Sequence, residues 1–213
     1  MTERQQKILE NAKFLDCFAT PAFVFWLPDG TRLNPALKET ILAREKARPG
    51  LSNSNVGGWH SGRDFAEWGG PALKEVLHVA MGFANQITLD RQGRRSRPNW
   101  RVECWANINR QGHANKRHTH PGCFLSGSYY VDVGDGSTAG NPGGRFRFHD
   151  PRGVANVLEP VTGKEGASAP EIQPEAGMMV MFPSWMPHSV EAYLGEGTRI
   201  SIAFNLALPG GAS

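Results

Sequence analysis

The feature that most constrains this chain is a series of short strand-like runs in its second half. Trp100 to Arg110 alternates Val102, Cys104, Ala106 and Ile108 with Glu103, Trp105, Asn107 and Asn109. Side chains on a strand point to opposite faces in turn, so this run reads as a strand with two distinct sides. Phe124 to Val133, Gly144 to Phe148, Met178 to Phe182, His188 to Tyr193 and Thr198 to Leu206 follow, separated by turns rich in glycine, proline and aspartate. Many short strands at close spacing build a sandwich or barrel. The 25 glycines and 15 prolines suit that architecture better than a helical bundle. Val133 to Gly143 and Thr162 to Pro170 read as loops, and no repeat of solenoid period is present.

The first half is patterned differently. Thr20 to Leu27 reads as a strand closed by the turn Pro28-Asp29-Gly30. Asn34-Pro35 predicts an N-cap with proline at the first helical position, with Leu37, Ile41 and Leu42 as an apolar stripe and Pro49-Gly50 as the stop. The Gly/Asn/Ser-rich stretch Ser52 to Ser61 reads as an ordered loop or short edge strand, because Trp59 is costly to leave exposed. A second helix opens at Gly70-Pro71 and carries Leu73, Val76, Leu77, Ala80, Met81, Ala84 and Ile87 at helical spacing. The expected organisation is a single domain over residues 1–213. Residues 1–99 form a helical layer with an edge strand, and residues 100–208 form the β core.

Several classes of function lose support at this stage. A net charge of +3 is too small to argue for nucleic acid or a membrane surface. No apolar run approaches the roughly 20 residues of a membrane span, and Met1 to Lys7 lacks the apolar core of an export signal. Cys17, Cys104 and Cys123 show no metal or redox spacing and read as reduced thiols of a cytoplasmic protein. The basic run Arg91 to Arg97 reads first as a solvated turn, with a phosphate or acidic-substrate contact as the alternative.

The chemistry concentrates in Arg117-His118-Thr119-His120-Pro121. Two histidines one residue apart on an extended segment share a face and offer a divalent metal two neighbouring ligands. His188, which follows the turn Pro183-Ser184-Trp185-Met186-Pro187 and opens an apolar strand, is the best third ligand. Arg199 lies on the next strand with Ser201 on the same face. An arginine aimed into a β core is unfavourable unless an anion meets it, and arginine with a hydroxyl makes a good carboxylate receptor.

These residues, together with Leu125-Ser126-Gly127-Ser128-Tyr129-Tyr130-Val131, Phe182 to His188 and Arg199 to Asn205, resemble the iron(II)- and 2-oxoglutarate-dependent dioxygenases. More narrowly they resemble a subfamily of small, mostly uncharacterised oxygenases. The likeness spans about residues 100–206, with weaker likeness in Ser54 to His60. It implies a mainly β fold, a double-stranded β-helix (a jelly-roll or cupin-like barrel) with N-terminal helices packed on one sheet. It also implies Fe(II) and 2-oxoglutarate as cofactors, with O2 consumed and succinate and carbon dioxide released. His118 and His188 match the family's iron-binding histidines, and Arg199 with Ser201 matches the grip on the distal carboxylate. Tyr130 and Ser126 match positions that touch the cosubstrate, with Asn107 a weaker candidate. The common pattern is His-x-Asp/Glu, whereas this chain has His120 at the third position, so a neutral ligand replaces a carboxylate. Asp150 in an Asp-Pro turn is another carboxylate within the chain. Trp59, His60, Trp105, Trp185 and Tyr129 are candidates to line a substrate pocket, and core packing is the competing reading for the aromatic ones. His113 is a further histidine of interest.

Three rival readings stand beside this one. A cupin fits Gly112 and His118-x-His120, but Cys123, Phe124 and Leu125 occupy the places where its glutamate belongs, and Arg199 goes unexplained. A three-histidine dioxygenase that does not use 2-oxoglutarate is another. A metal-stabilised binding module without turnover is the third. The substrate, a small molecule or peptide, is not legible in single residues, since fold likeness does not transfer it. A homodimer is the expected assembly for a small enzyme.

Overall fold

The computed structural model describes residues 2, 6, 19–134, 143–152 and 170–210. Cys17, most of Met1 to Lys7, and all but the ends of the two expected loops lie outside them. The strands are β1 (Phe23–Trp26), β2 (Asn55–Val56), β3 (Trp59–His60), β4 (Arg101–Asn109), β5 (Ala114–His118), β6 (Leu125–Asp132), β7 (Phe146–Phe148), β8 (Glu171–Ile172), β9 (Met178–Pro183), β10 (His188–Val190) and β11 (Arg199–Ala207). The helices are α1 (Gly30–Ala47), α2 (Phe65–Trp68) and α3 (Gly70–Ile87). A six-stranded antiparallel sheet runs β1-β9-β6-β11-β4-β3 and faces a five-stranded sheet ordered β2-β5-β10-β7-β8. This is the double-stranded β-helix architecture, with no ladder joining the two sheets among the described residues.

The large sheet is buried on both faces, which explains why β9 is a continuous apolar run rather than an alternating one. One face presents Cys104, Ala106, Ile108, Tyr129, Met179, Met181, Ile200, Ile202, Phe204 and Leu206 to the helices. There they meet Leu37 and Ile41 of α1 and Leu73, Val76, Leu77, Ala80 and Ala84 of α3. The other face presents Tyr130, Met178, Val180 and Phe182 to Phe146 and Phe148 of the small sheet. Gly127 leaves room for the ring of its cross-strand partner Phe204, which a Cβ there would run into. The helix stripes read from the sequence therefore cover one side of a sheet, as expected.

The start of α1 differs from expectation. The helix opens at Gly30, and Pro35 lies inside it. The extra turn buries Leu33, worth roughly 2 kcal/mol. It also lets the Arg32 and Leu33 amides donate to the Asp29 carbonyl at 2.9 and 3.0 Å. Together these offset the one bond that Pro35 cannot donate. Asn34 is thereby no cap; its Oδ1 accepts a 2.6 Å bond from the Tyr129 hydroxyl and ties α1 to β6.

Two irregularities shape the space between the sheets. The β10–β5 register shifts between His188 and Val190, so the pair His188↔His118 is followed by Val190↔Asn115. The β11–β6 register shifts between Ile200 and Ser201, which sets Ser201 opposite Tyr130. Bulges of this kind bend a strand and re-aim its side chains. Both sit next to residues singled out from the sequence.

Candidate metal centre and anion receptor

His118 ends β5 and stands directly across from His188, the first residue of β10. His120 lies just past the strand, fixed by its amide donating to the Ser184 carbonyl at 2.9 Å. The three rings converge: their candidate ligand nitrogens all lie within 4.8 Å of one another. His120 Nε2 and His188 Nε2 are 3.3 Å apart. Two nitrogens bound to one ion at the usual 2.0–2.1 Å stand about 3 to 3.4 Å from each other, so this pair already has ligand spacing. His118 Nδ1 meets the Lys116 carbonyl at 2.7 Å, and His188 Nδ1 meets the Met186 carbonyl at 3.0 Å. A carbonyl only accepts, so each Nδ1 must carry the proton and each Nε2 must present a lone pair. Phe146 stacks on His188 at 5.3 Å and Phe182 meets it edge-on at 4.7 Å, which holds the ring in place.

Electrostatics keep these rings neutral. Burial lowers the pKa of His118. Burial, reinforced by repulsion from His118, brings His120 down to about 4 and His188 down to about 3. Neutral imidazoles are what a metal requires. Each ring holds its proton less tightly folded than unfolded, so below about pH 6.5 the unfolded chain takes up more protons than the folded one. Stability therefore falls as pH drops through this window and is untouched by these groups above it. Chelator-treated protein is expected to lose up to about 2 kcal/mol per deeply buried ring between pH 7 and pH 5. Thermal melts at the two pH values would read this as a Tm lower by several degrees at pH 5. Equal melting temperatures would mean that the rings accept protons where they stand.

Along β11 the residues on the inner face are Arg199, Ser201, Ala203 and Asn205. Arg199 is only 2% exposed. Its Nη1 donates to Ser201 Oγ at 3.5 Å, the guanidinium lies 5.1 Å from the Tyr130 ring centroid, and its Nε has no partner. Among the described residues no carboxylate pairs with it. Burial pulls its pKa below the ordinary value. The Tyr130 hydroxyl is likewise buried, beside the Arg199 guanidinium and with its own O–H unused, and burial pushes its pKa up to about 12. A cation and a neutral hydroxyl, both buried and both with unused donors, form a receptor built for an anion. Gly144, at φ +68°, passes so close that a Cβ would stand 3.1 Å from Arg199 Cδ.

The other sequence candidates are distributed unevenly. Trp105 stands beside the triad, 5.7 Å from His120, with His60 stacked on it at 5.5 Å and the Arg63 guanidinium 6.0 Å from its ring. Trp59 faces the other way. It packs in the helix-side core and donates its indole N–H to the Arg48 carbonyl, because neighbours on a strand point to opposite faces. Tyr129, beside Tyr130, is likewise turned to the helices. Asn107 sits on the inner face opposite Ser201 and His60. Ser126 is buried with its hydroxyl donating to Asn205 Oδ1 at 2.8 Å. Trp185 is 52% exposed, between two residues, Ser184 and Met186, whose carbonyls hold His120 and His188. His113 accepts from the Arg110 amide within a turn, and Asp150 is paired with Arg152. The basic run is a turn organised by Asp90, which binds Arg94. Arg63 and Asn205 are site neighbours that the sequence reading did not assign.

Three clustered imidazoles and a buried cation with spare donors, set between two facing sheets, make a site that could hold a divalent metal beside an anion. Residues 103–205 match the family model described as "Putative 2OG-Fe(II) oxygenase". The matched segment takes in all three histidines and Arg199, so the family likeness falls on the β core that carries the site. Solved structures share the fold. A prolyl-4-hydroxylase from Pseudomonas putida superposes with TM-score 0.65 at 17% identity, over 90% of this chain and 95% of its own. A prolyl hydroxylase from Trichoplax adhaerens, in complex with a hypoxia inducible factor oxygen degradation domain peptide fragment, gives 0.63 at 16% over 89% and 84%. HygX from Streptomyces hygroscopicus, with nickel and 2-oxoglutarate bound, gives 0.57 at 12% over 99% and 88%. No curated protein matches the sequence.

Proposed function

We propose that this protein is a hydroxylase in which His118, His120 and His188 hold iron(II), while Arg199, Ser201 and Tyr130 hold the distal carboxylate of 2-oxoglutarate. The observation that carries the reading is Arg199: a buried guanidinium with an unused Nε, beside the buried Tyr130 hydroxyl, on the inner face of the large sheet, while His118 and His188 belong to strands of the small sheet. Iron(II) and 2-oxoglutarate, when bound, supply the oxidising power that O2-driven decarboxylation to succinate and carbon dioxide makes available for a C–H bond. The protein's own work is positioning. Lys116 and Met186 carbonyls fix two ligand rings, and Phe146 and Phe182 exclude water around His188. Asn107, paired with Ser201 across β4 and β11, would touch the cosubstrate, and Ser126 would act at one remove through Asn205.

The substrate, a peptide or a small molecule, would approach past the exposed Trp185, which adjoins Ser184 and Met186, or past Trp105 and His60, which stack beside His120. The Trichoplax enzyme's peptide complex favours a peptide. Residues 1–213 act as one domain, with the helices as a lining for the large sheet. Cys104 and Cys123 are free thiols, which suits a cytoplasmic enzyme, and a homodimer is the assembly to test by light scattering.

The test is slow succinate formation without added substrate, from protein supplied with iron(II), ascorbate and 2-oxoglutarate. Wild-type protein is expected to form succinate, whereas His118→Ala and Arg199→Ala are not. Iron binding that 2-oxoglutarate leaves unchanged, with no succinate, would overturn the cosubstrate and favour the three-histidine dioxygenase.

A further inference from the structure

The three histidines are not held alike. His118 and His188 each meet a backbone carbonyl through Nδ1, which allows a single tautomer. His120 Nδ1 instead faces the Asn205 side-chain amide, at 3.5 Å from Nδ2. Asn205 is buried, and its Oδ1 accepts from Ser126 Oγ at 2.8 Å. The two residues are directly paired across β11 and β6.

An amide can donate or accept, so this contact admits two arrangements. With Nδ2–H donating to His120 Nδ1, the ring proton sits on Nε2, which then points at the His188 Nε2 lone pair 3.3 Å away. In that tautomer His120 is a hydrogen-bond donor and offers a metal nothing. A half-turn of the amide brings Oδ1 to a protonated Nδ1 and frees the Nε2 lone pair. The Ser126 hydroxyl then accepts from Nδ2 where it had donated to Oδ1, and a hydroxyl can do both. The Ser126–Asn205 pair is therefore satisfied in either orientation, and its state fixes that of His120.

We propose that Asn205, anchored by Ser126, is a positioning residue that selects the ligating tautomer of His120. The proposal rests on His120 being a metal ligand. No carboxylate stands at this position, so the amide does for His120 what the two carbonyls do for the other rings.

Cobalt(II) binding by the whole chain, followed by titration calorimetry and by the visible bands of the bound ion, tests it. Asn205→Leu keeps the volume and removes the contact, and its affinity is expected to fall about 10- to 100-fold. Asn205→Asp can only accept, imposes Nδ1–H on His120, and is expected to bind at least as tightly as wild type. Ser126→Ala, which leaves Asn205 without its anchor, is expected to fall between wild type and Asn205→Leu. Nitrogen chemical shifts of the His120 ring in zinc-loaded protein should report Nδ1–H in wild type and Asn205→Asp. Affinity of Asn205→Leu within twofold of wild type, with the same His120 tautomer, would overturn the proposal. So would Asn205→Asp binding as poorly as Asn205→Leu, since packing would then explain the loss. If His120→Ala binds cobalt(II) as wild type does, the ligand assignment itself fails, and the proposal falls with it.

Discussion

A His188→Ala variant is expected to lose metal affinity on the order of 100- to 1,000-fold and to form no succinate. The magnitude follows from structural zinc sites, where about 10–16 kcal/mol is shared among four ligands, or roughly 3 kcal/mol each. His188 is the most sheltered ring of the triad, 4% exposed and held by the Met186 carbonyl and two phenylalanines. Its removal also leaves a hole between Phe146 and Phe182, so a stability loss of about 1–3 kcal/mol should accompany the affinity loss. His118→Ala separates the two effects. His118 is only half-buried, so its variant should match the affinity loss and melt close to wild type. His60→Ala and His149→Ala are the controls. His60 is occupied by Asn53 and Trp105, and His149 by Ser189, so neither belongs to the cluster. Calorimetric titration with cobalt(II) decides the matter: equal affinity losses at His60 and His188 would mean that no defined ligand set exists.

Most strands were legible because alternation and apolar runs are local properties: β4, β6, β7, β9, β10 and β11 each fall within or upon the runs read as strands, β10 ending at Val190 rather than Tyr193, while the polar β5 was not read as a strand. What each face meets was less legible. Trp105, Asn107 and Asn109 read as the polar side of β4, yet all three are buried, because a second sheet lies over that face. A polar face turned to a polar site and one turned to water look the same in sequence. The short elements β2, β3, β8 and α2 carry too few residues to show a period. His118, His120 and His188 could be named because their residue type and setting are unusual, and the structure gathers them. The contribution of Asn205 could not be read. It depends on the β11–β6 register that sets it opposite Ser126, and pairing between segments 79 residues apart leaves no local trace. Trp59 and His60 show the same limit at its smallest scale. Adjacent on one strand, they cannot line one pocket, and only the pairing of β3 with β4 decides which faces it.

Arg199→Met is expected to move stability and cosubstrate binding in opposite directions. The guanidinium is buried without a carboxylate among the described residues, and its desolvation is offset by neutral groups, Tyr130, Tyr193 and a long bond to Ser201. A methionine of similar length removes that penalty, and replacing buried charge by apolar groups is often neutral or stabilising by 1–4 kcal/mol. Without 2-oxoglutarate the variant should therefore melt at the wild-type temperature or a few degrees above it. With 2-oxoglutarate the balance reverses. A buried charge pair that loses one partner costs about 2–4 kcal/mol, which corresponds to a KM for 2-oxoglutarate raised roughly 30- to 1,000-fold. Arg199→Lys should fall between, because lysine keeps the charge and loses the paired donors. The sign of the melting shift separates function from scaffold. A structural arginine would lower Tm when replaced and leave KM within a few-fold. An arginine retained for a ligand destabilises the protein until that ligand arrives, and only the second case predicts that 2-oxoglutarate raises the Tm of wild type more than that of Arg199→Met.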